Sequence, residues 1–83
     1  MNREQIFEII ASHAREVLPD LASHRFQSSD ELKELGANSI DRSEIVMLTL
    51  ESLKLQISLV EIAGAQNLGE LAELLHAKKV QVA

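Results

Sequence analysis

The chain has 83 residues, 46% of them apolar and 25% charged, with one proline, three glycines and a formal net charge of −5; this is the size of one small domain, expected over residues 1–83, with no room for a second. Phe7 and Phe26 stand without any Trp or Tyr and the charge is negative, so both the stacking platforms and the basic surface that nucleic acid needs are missing. The absence of cysteine excludes disulfides, thiolate zinc sites and cysteine nucleophiles together, and Arg3, Glu4, Glu8, Arg15 and Glu16 interrupt any N-terminal run that could be a signal peptide or membrane span. A soluble, cytoplasmic monomer with an aliphatic core is expected, without nucleic acid or membrane as partner.

From Arg3 to Leu18 the apolar residues Ile6, Ile10, Ala14 and Val17 recur at helical spacing, widened by Phe7 and Ile9, and charges occupy the other side. Pro19-Asp20 ends this amphipathic helix. The stretch from Leu21 to Leu35 has no sustained period. It is a long loop with at most one helical turn late in it, held to the core through Leu21, Phe26, Leu32 and Leu35. After Gly36, the run Asn38-Ser39-Ile40-Asp41 opens a second helix that reaches about Leu53. Asn38 is the better of two adjacent caps, because it places Asp41 at the third helical position where a carboxylate is favoured. That choice leaves the Ser39 hydroxyl free.

Ser58 and Glu61 form a capping box that opens Leu59 to Ala63, closed by Gly64; Gln56 to Val60 is the nearest approach to a strand, and the capping box contests it. Asn67 and Glu70 repeat the pattern and open Leu68 to about Ala77, closed by Lys78 and Lys79. The expected class is all-α, a small four-helix bundle of three longer helices and one short one with a long first loop.

Catalytic constellations are nearly absent. His13, His24 and His76 lie in separate elements without metal-ligand spacing; His13 fits the edge of the core, and His76 an interaction with a helix C-terminus. Glu4, Glu8, Glu16, Glu70 and Glu73 fit solvated helix faces. The second helix differs, since Ile45, Val46, Thr49, Leu50 and Leu53 cluster on one side while Ile40, Met47 and Leu48 fall on the other beside Glu44 and Glu51. The first side faces the bundle. The second either docks partner proteins or is covered by the loop from Leu21 to Leu35. At its start, Ser39 stands where unpaired backbone N–H groups and the helix dipole favour a phosphate, although a serine at a helix start is more often simply a cap.

The segment Leu35-Gly36-Ala37-Asn38-Ser39-Ile40-Asp41, followed by Glu44-Ile45-Val46-Met47, resembles the attachment segment of acyl carrier proteins, usually written Gly-x-Asp-Ser-Leu, and the order of elements is similar over nearly the whole chain. The resemblance implies that Ser39 carries a covalent 4′-phosphopantetheine taken from coenzyme A by a phosphopantetheinyl transferase. It further implies a carrier, not an enzyme. Apolar residues beside charges on the second face of the helix place partner contact at Ile40, Arg42, Glu44, Met47, Leu48 and Glu51, with the acids Asp41, Glu44 and Glu51 facing basic patches on the partners. Asn38 stands where the family usually has aspartate, which removes one negative charge beside the serine while keeping the cap. The runs Asn-Ser-Ile-Asp-Arg-Ser-Glu-Ile-Val-Met and Leu-Val-Glu-Ile-Ala-Gly-Ala-Gln-Asn-Leu-Gly-Glu-Leu are similar to a narrower group, the free-standing carriers of polyketide β-branching cassettes. On that resemblance the chain receives its acyl unit from an acyltransferase or decarboxylating ketosynthase-like enzyme and donates acetyl to a 3-hydroxy-3-methylglutaryl-synthase-like enzyme. A general carrier for fatty-acid or polyketide chain extension is the alternative within the family. An unmodified helical module that binds a partner helix or a second copy is the alternative outside it.

Overall fold

Asn2 starts the first helix: its Oδ1 accepts from the Gln5 N–H at 2.8 Å, and Gln5 Oε1 accepts from the Asn2 N–H at 2.9 Å. This reciprocal pair satisfies N–H groups that a helix end otherwise leaves open. In the computed structural model, which describes residues 2–82, the chain then forms α1 (Arg3–Val17), α2 (Ser39–Leu53) and α3 (Leu68–Val82), each of 15 residues. Two 3-10 helices, Pro19–Leu21 and Leu59–Ile62, complete the described elements. The fold is all-helical, without strands among the described residues. The expected short fourth helix is a single 3-10 turn: the Ser58–Glu61 capping box is present, but the turn is too short to continue as an α-helix. Pro19 both ends α1 and opens a 3-10 turn, where its missing N–H costs nothing. None of the helices is long and apolar enough to cross a membrane among the described residues.

The core is aliphatic. Ile6, Ile10, Ile45, Leu53, Leu68 and Leu75 are fully buried together with Thr49, whose hydroxyl is satisfied by donating to the Ile45 carbonyl at 2.8 Å. Helix α3 runs past Ala77, where the sequence placed its end. The basic pair serves other elements instead. Lys79 Nζ donates to the Leu53 carbonyl at the end of α2, 2.8 Å away, and Lys78 Nζ to Glu61 Oε1 at 3.0 Å. Thus Lys79 supplies the positive charge favoured at a helix C-terminus, but to α2.

The long loop is strapped down. Phe26 and Leu32 are buried and Leu21 and Leu35 pack against the core, as the sequence predicts. Arg15 lies 4.9 Å over the Phe26 ring and donates to the His24 carbonyl at 3.1 Å. His24 meets the same ring edge-on and bonds Asp30 Oδ2 through Nε2 at 2.9 Å; that oxygen also accepts the Gln27 N–H at 2.8 Å. The loop backbone then serves α3: the Asp30 and Ser28 carbonyls accept from the Leu68 and Gly69 N–H groups, each at 2.9 Å. A loop thus caps a helix it does not adjoin in sequence.

This close approach requires glycine at position 69, since a Cβ there would stand 2.8 Å from Ser28 Cβ and 3.1 Å from its carbonyl oxygen. Gly69→Ala is expected to cost about 1–3 kcal/mol of stability through displacement of the loop, checked by urea denaturation. The hydrogen bonds from His24 and then Gln27 hold the Asp30 carboxyl below its usual value. A carboxylate depressed in the folded state contributes stability above its unfolded pKa of about 3.9 and loses it as pH falls through the lower folded value. Asp30→Asn should therefore lower the melting temperature at pH 5 to 6, and the gap from wild type should close as the pH is taken down through and below the ordinary aspartate range.

Candidate functional site

The approach to α2 is fixed residue by residue. Residues 32–36 form one turn, with the Leu35 N–H donating to the Glu31 carbonyl at 3.1 Å. It closes in a Schellman motif: the Ala37 N–H donates to the Leu32 carbonyl at 3.0 Å and the Gly36 N–H to the Lys33 carbonyl at 3.2 Å. The pivot has φ 101°, which glycine adopts without penalty, and this is Gly36. Ala37 is buried, and its carbonyl accepts from Arg42 Nη1 at 2.9 Å. Asn38 then caps α2 as the sequence predicts, with its Oδ1 accepting the Asp41 N–H at 2.8 Å and Asp41 Oδ2 accepting the Asn38 N–H at 3.2 Å.

Ser39 is therefore the first helical residue and is exposed. Neither its hydroxyl nor the Ser39 and Ile40 N–H groups has a hydrogen-bond partner among the described residues. An exposed hydroxyl beside two open N–H groups at the positive end of a helix suits a phosphodiester on Oγ. The residues present fit such a group.

Both faces of α2 are as the pattern predicts on the core side, where Ile45, Thr49, Leu50 and Leu53 are buried and Val46 packs against them. On the other side Ile40 is 75% and Met47 59% exposed, flanked by exposed Glu44 and Glu51. The long loop does not cover this side, because it is committed to the core and to α3. Leu48 and Asp41 are half-buried at its edge, with Asp41 engaged in the cap. Arg42 is not with the acids. It is half-buried, turned back to the Ala37 carbonyl, and borders a groove of about 350 Å³ with Leu32, Val46, Ile62 and Leu68. Val60, 81% exposed on the second 3-10 helix, was not singled out by the sequence; one turn buries only Ile62, and that imbalance is the signal that could have found it.

Two of the three histidines serve the scaffold. His13 bonds Glu16 Oε1 through Nδ1 at 2.9 Å and Ser52 Oγ through Nε2 at 2.7 Å, the order of groups found in serine hydrolases. Ser52, however, lies in the last turn of α2, where the helix end presents carbonyl oxygens and not the N–H donors that stabilise an oxyanion. The arrangement joins α1 to α2. His24 belongs to the loop clasp, and His76 has no hydrogen bond among the described residues, its expected place at a helix C-terminus being taken by Lys79. No group of three or more His, Cys, Asp or Glu among the described residues could hold a metal ion.

Residues 8–75 match the family described as "Phosphopantetheine attachment site". The chain is 49% identical over 78 residues to the polyketide biosynthesis acyl-carrier-protein AcpK of Bacillus subtilis (strain 168), covering 94% of this chain and 95% of that protein. Its structure is similar, with a TM-score of 0.91 and 45% identity, to a chain in the crystal structure of the curacin biosynthetic pathway HMG synthase in complex with acetyl donor-ACP. That alignment covers 94% of this chain and 100% of the other.

Proposed function

The chain belongs to the phosphopantetheine attachment-site family, and from this we propose that Ser39 carries the covalent 4′-phosphopantetheine and that the protein is the acetyl donor carrier of a β-branching cassette. The observation that carries the reading is the exposed, uncommitted Ser39 hydroxyl at the opening of α2. When bound, the group supplies a thiol that holds acyl units as thioesters, which a chain without cysteine lacks. The chain's own residues do the rest: Asn38 and Asp41 hold the helix start open, and the free Ser39 and Ile40 N–H groups offset phosphate charge. Residues 1–83 act in this reading as one carrier domain, a cytoplasmic monomer and not itself an enzyme.

The donor role is supported by the similarity to a chain of the synthase complex. That similarity extends over all of the matched chain. The partners on this reading are a phosphopantetheinyl transferase, an acyltransferase or decarboxylating ketosynthase-like enzyme that loads the acyl unit, and a 3-hydroxy-3-methylglutaryl-synthase-like enzyme that receives acetyl. Ile40 and Met47 offer apolar anchors between Glu44 and Glu51, a surface suited to an apolar pocket rimmed by basic side chains.

Incubation with coenzyme A and a broad-specificity transferase should add one phosphopantetheine to the wild type by intact mass and none to Ser39→Ala. Because Asn38 removes a charge beside the serine, a second transferase completes the test; no increment with either favours an unmodified interaction module. The acetyl-loaded carrier should be consumed by a β-branching synthase given an acetoacetyl-loaded acceptor and be a poor substrate for a chain-extending ketosynthase. The reverse pattern leaves a general carrier.

Met47→Glu and Glu44→Lys should each reduce transfer to the synthase at least several-fold while the melting temperature stays unchanged, and the wild-type rate should fall with salt. Normal transfer by both variants moves the docking face elsewhere.

A further inference from the structure

Arg42 is a half-buried cation beside the attachment position that has no ion-pair partner among the described residues. Of the five N–H donors of its guanidinium, one is used, in the bond from Nη1 to the Ala37 carbonyl. The nearest acid in sequence, Asp41, gives its carboxylate to the Asn38 N–H. Its other guanidinium nitrogens are not among the buried atoms without a partner, so they stay open to an anion that comes to the helix start.

Arg42 follows Ser39 by three residues on α2, the spacing that puts two side chains on neighbouring parts of a helix surface, with Cβ atoms about 5–6 Å apart. Its bond to the Ala37 carbonyl holds the guanidinium at the N-terminal end of the helix, where the Ser39 and Ile40 N–H groups are also open. We propose that Arg42 is the counter-charge of the phosphodiester on Ser39, holding the root of the arm on the groove side of α2. This rests on Ser39 as the attachment residue. The arm then leaves the helix away from Ile40 and Met47, so the exposed face stays free for a protein partner while the arm is held. A planar guanidinium can keep its carbonyl bond and still offer two N–H groups to phosphate oxygens.

The experiment compares apo and holo forms of the wild type, Arg42→Gln, Arg42→Lys and Lys33→Gln, the last removing the other cation that lines the groove. Loading is verified by intact mass, and the readouts are the apo-to-holo shift in melting temperature and the 31P chemical shift of the holo form, each at low and high salt. Because each variant is compared with its own apo form, loss of the Ala37 bond cancels. The wild type and Lys33→Gln should gain melting temperature on loading, with the gain shrinking at high salt; Arg42→Gln should lose the gain and shift its 31P resonance, and Arg42→Lys should recover part of both. An equal gain in wild type and Arg42→Gln, or no gain in the wild type, overturns the proposal. Failure of Ser39 to accept the group at all is read in the mass and overturns the attachment reading, and this proposal with it.

Discussion

The reciprocal hydrogen bonds between Asn38 and Asp41 determine what the rest of the molecule can present. They satisfy the Asp41 N–H with a side chain one position before the serine, so Ser39 is a helical residue and not the cap. Had Ser39 been the cap, its hydroxyl would have been consumed by a backbone N–H two or three residues on. Upstream, the left-handed Gly36 and the Schellman bonds to Leu32 and Lys33 aim the chain at this cap, and burial of Ala37 fixes the peptide between them. An exposed, unpartnered hydroxyl is thereby held by a backbone with little freedom.

The same economy governs the scaffold. A chain with two phenylalanines and no tryptophan, tyrosine or cysteine depends on aliphatic contacts among α1, α2 and α3, and these alone leave a long loop unattached. The loop is retained by its own anchors Phe26 and Leu32 and by the Ser28 and Asp30 carbonyls that finish the start of α3, while Lys79 of α3 finishes the end of α2. Each of these polar contacts satisfies helix-end groups that would otherwise face the core edge unpaired. The one aromatic ring in the loop, Phe26, is held between Arg15 and His24, which joins the loop to α1.

Charge is sorted around α2. The exposed side carries Glu44 and Glu51 with Ile40 and Met47, and the groove side carries Arg42. On the proposed reading, a protein partner and the phosphate-bearing arm are then addressed from different directions on one helix. Family membership and this sorting are independent, one being a matter of sequence similarity and the other of where side chains come to lie.

What the sequence by itself determined was local. The cap at Asn38, the capping box at Ser58, the stop at Pro19, the two-sided pattern of α2 and the free hydroxyl of Ser39 follow from hydrogen bonds and periodicities that span four or five residues; at Asn67 only half of the expected box forms, since Asn67 Oδ1 accepts the Glu70 N–H but the Glu70 carboxylate takes the Gln66 N–H. What only the tertiary structure decided involves partners far apart in the chain. Lys78 and Lys79 read as the end of α3, yet Lys79 caps α2 and α3 continues, because a lysine chain reaches whichever carbonyl the packing brings near it. The sequence placed Arg42 among the acids of the docking face. Its position on the helix surface lies nearer the core, and a carbonyl five residues back draws it toward the groove. Whether the long loop would cover Ile40 and Met47 was also open in the pattern, since an apolar anchor does not name its site. The two carbonyls that the loop gives to Leu68 and Gly69 settle it on α3, where the helix start needs acceptors and a glycine admits the backbone.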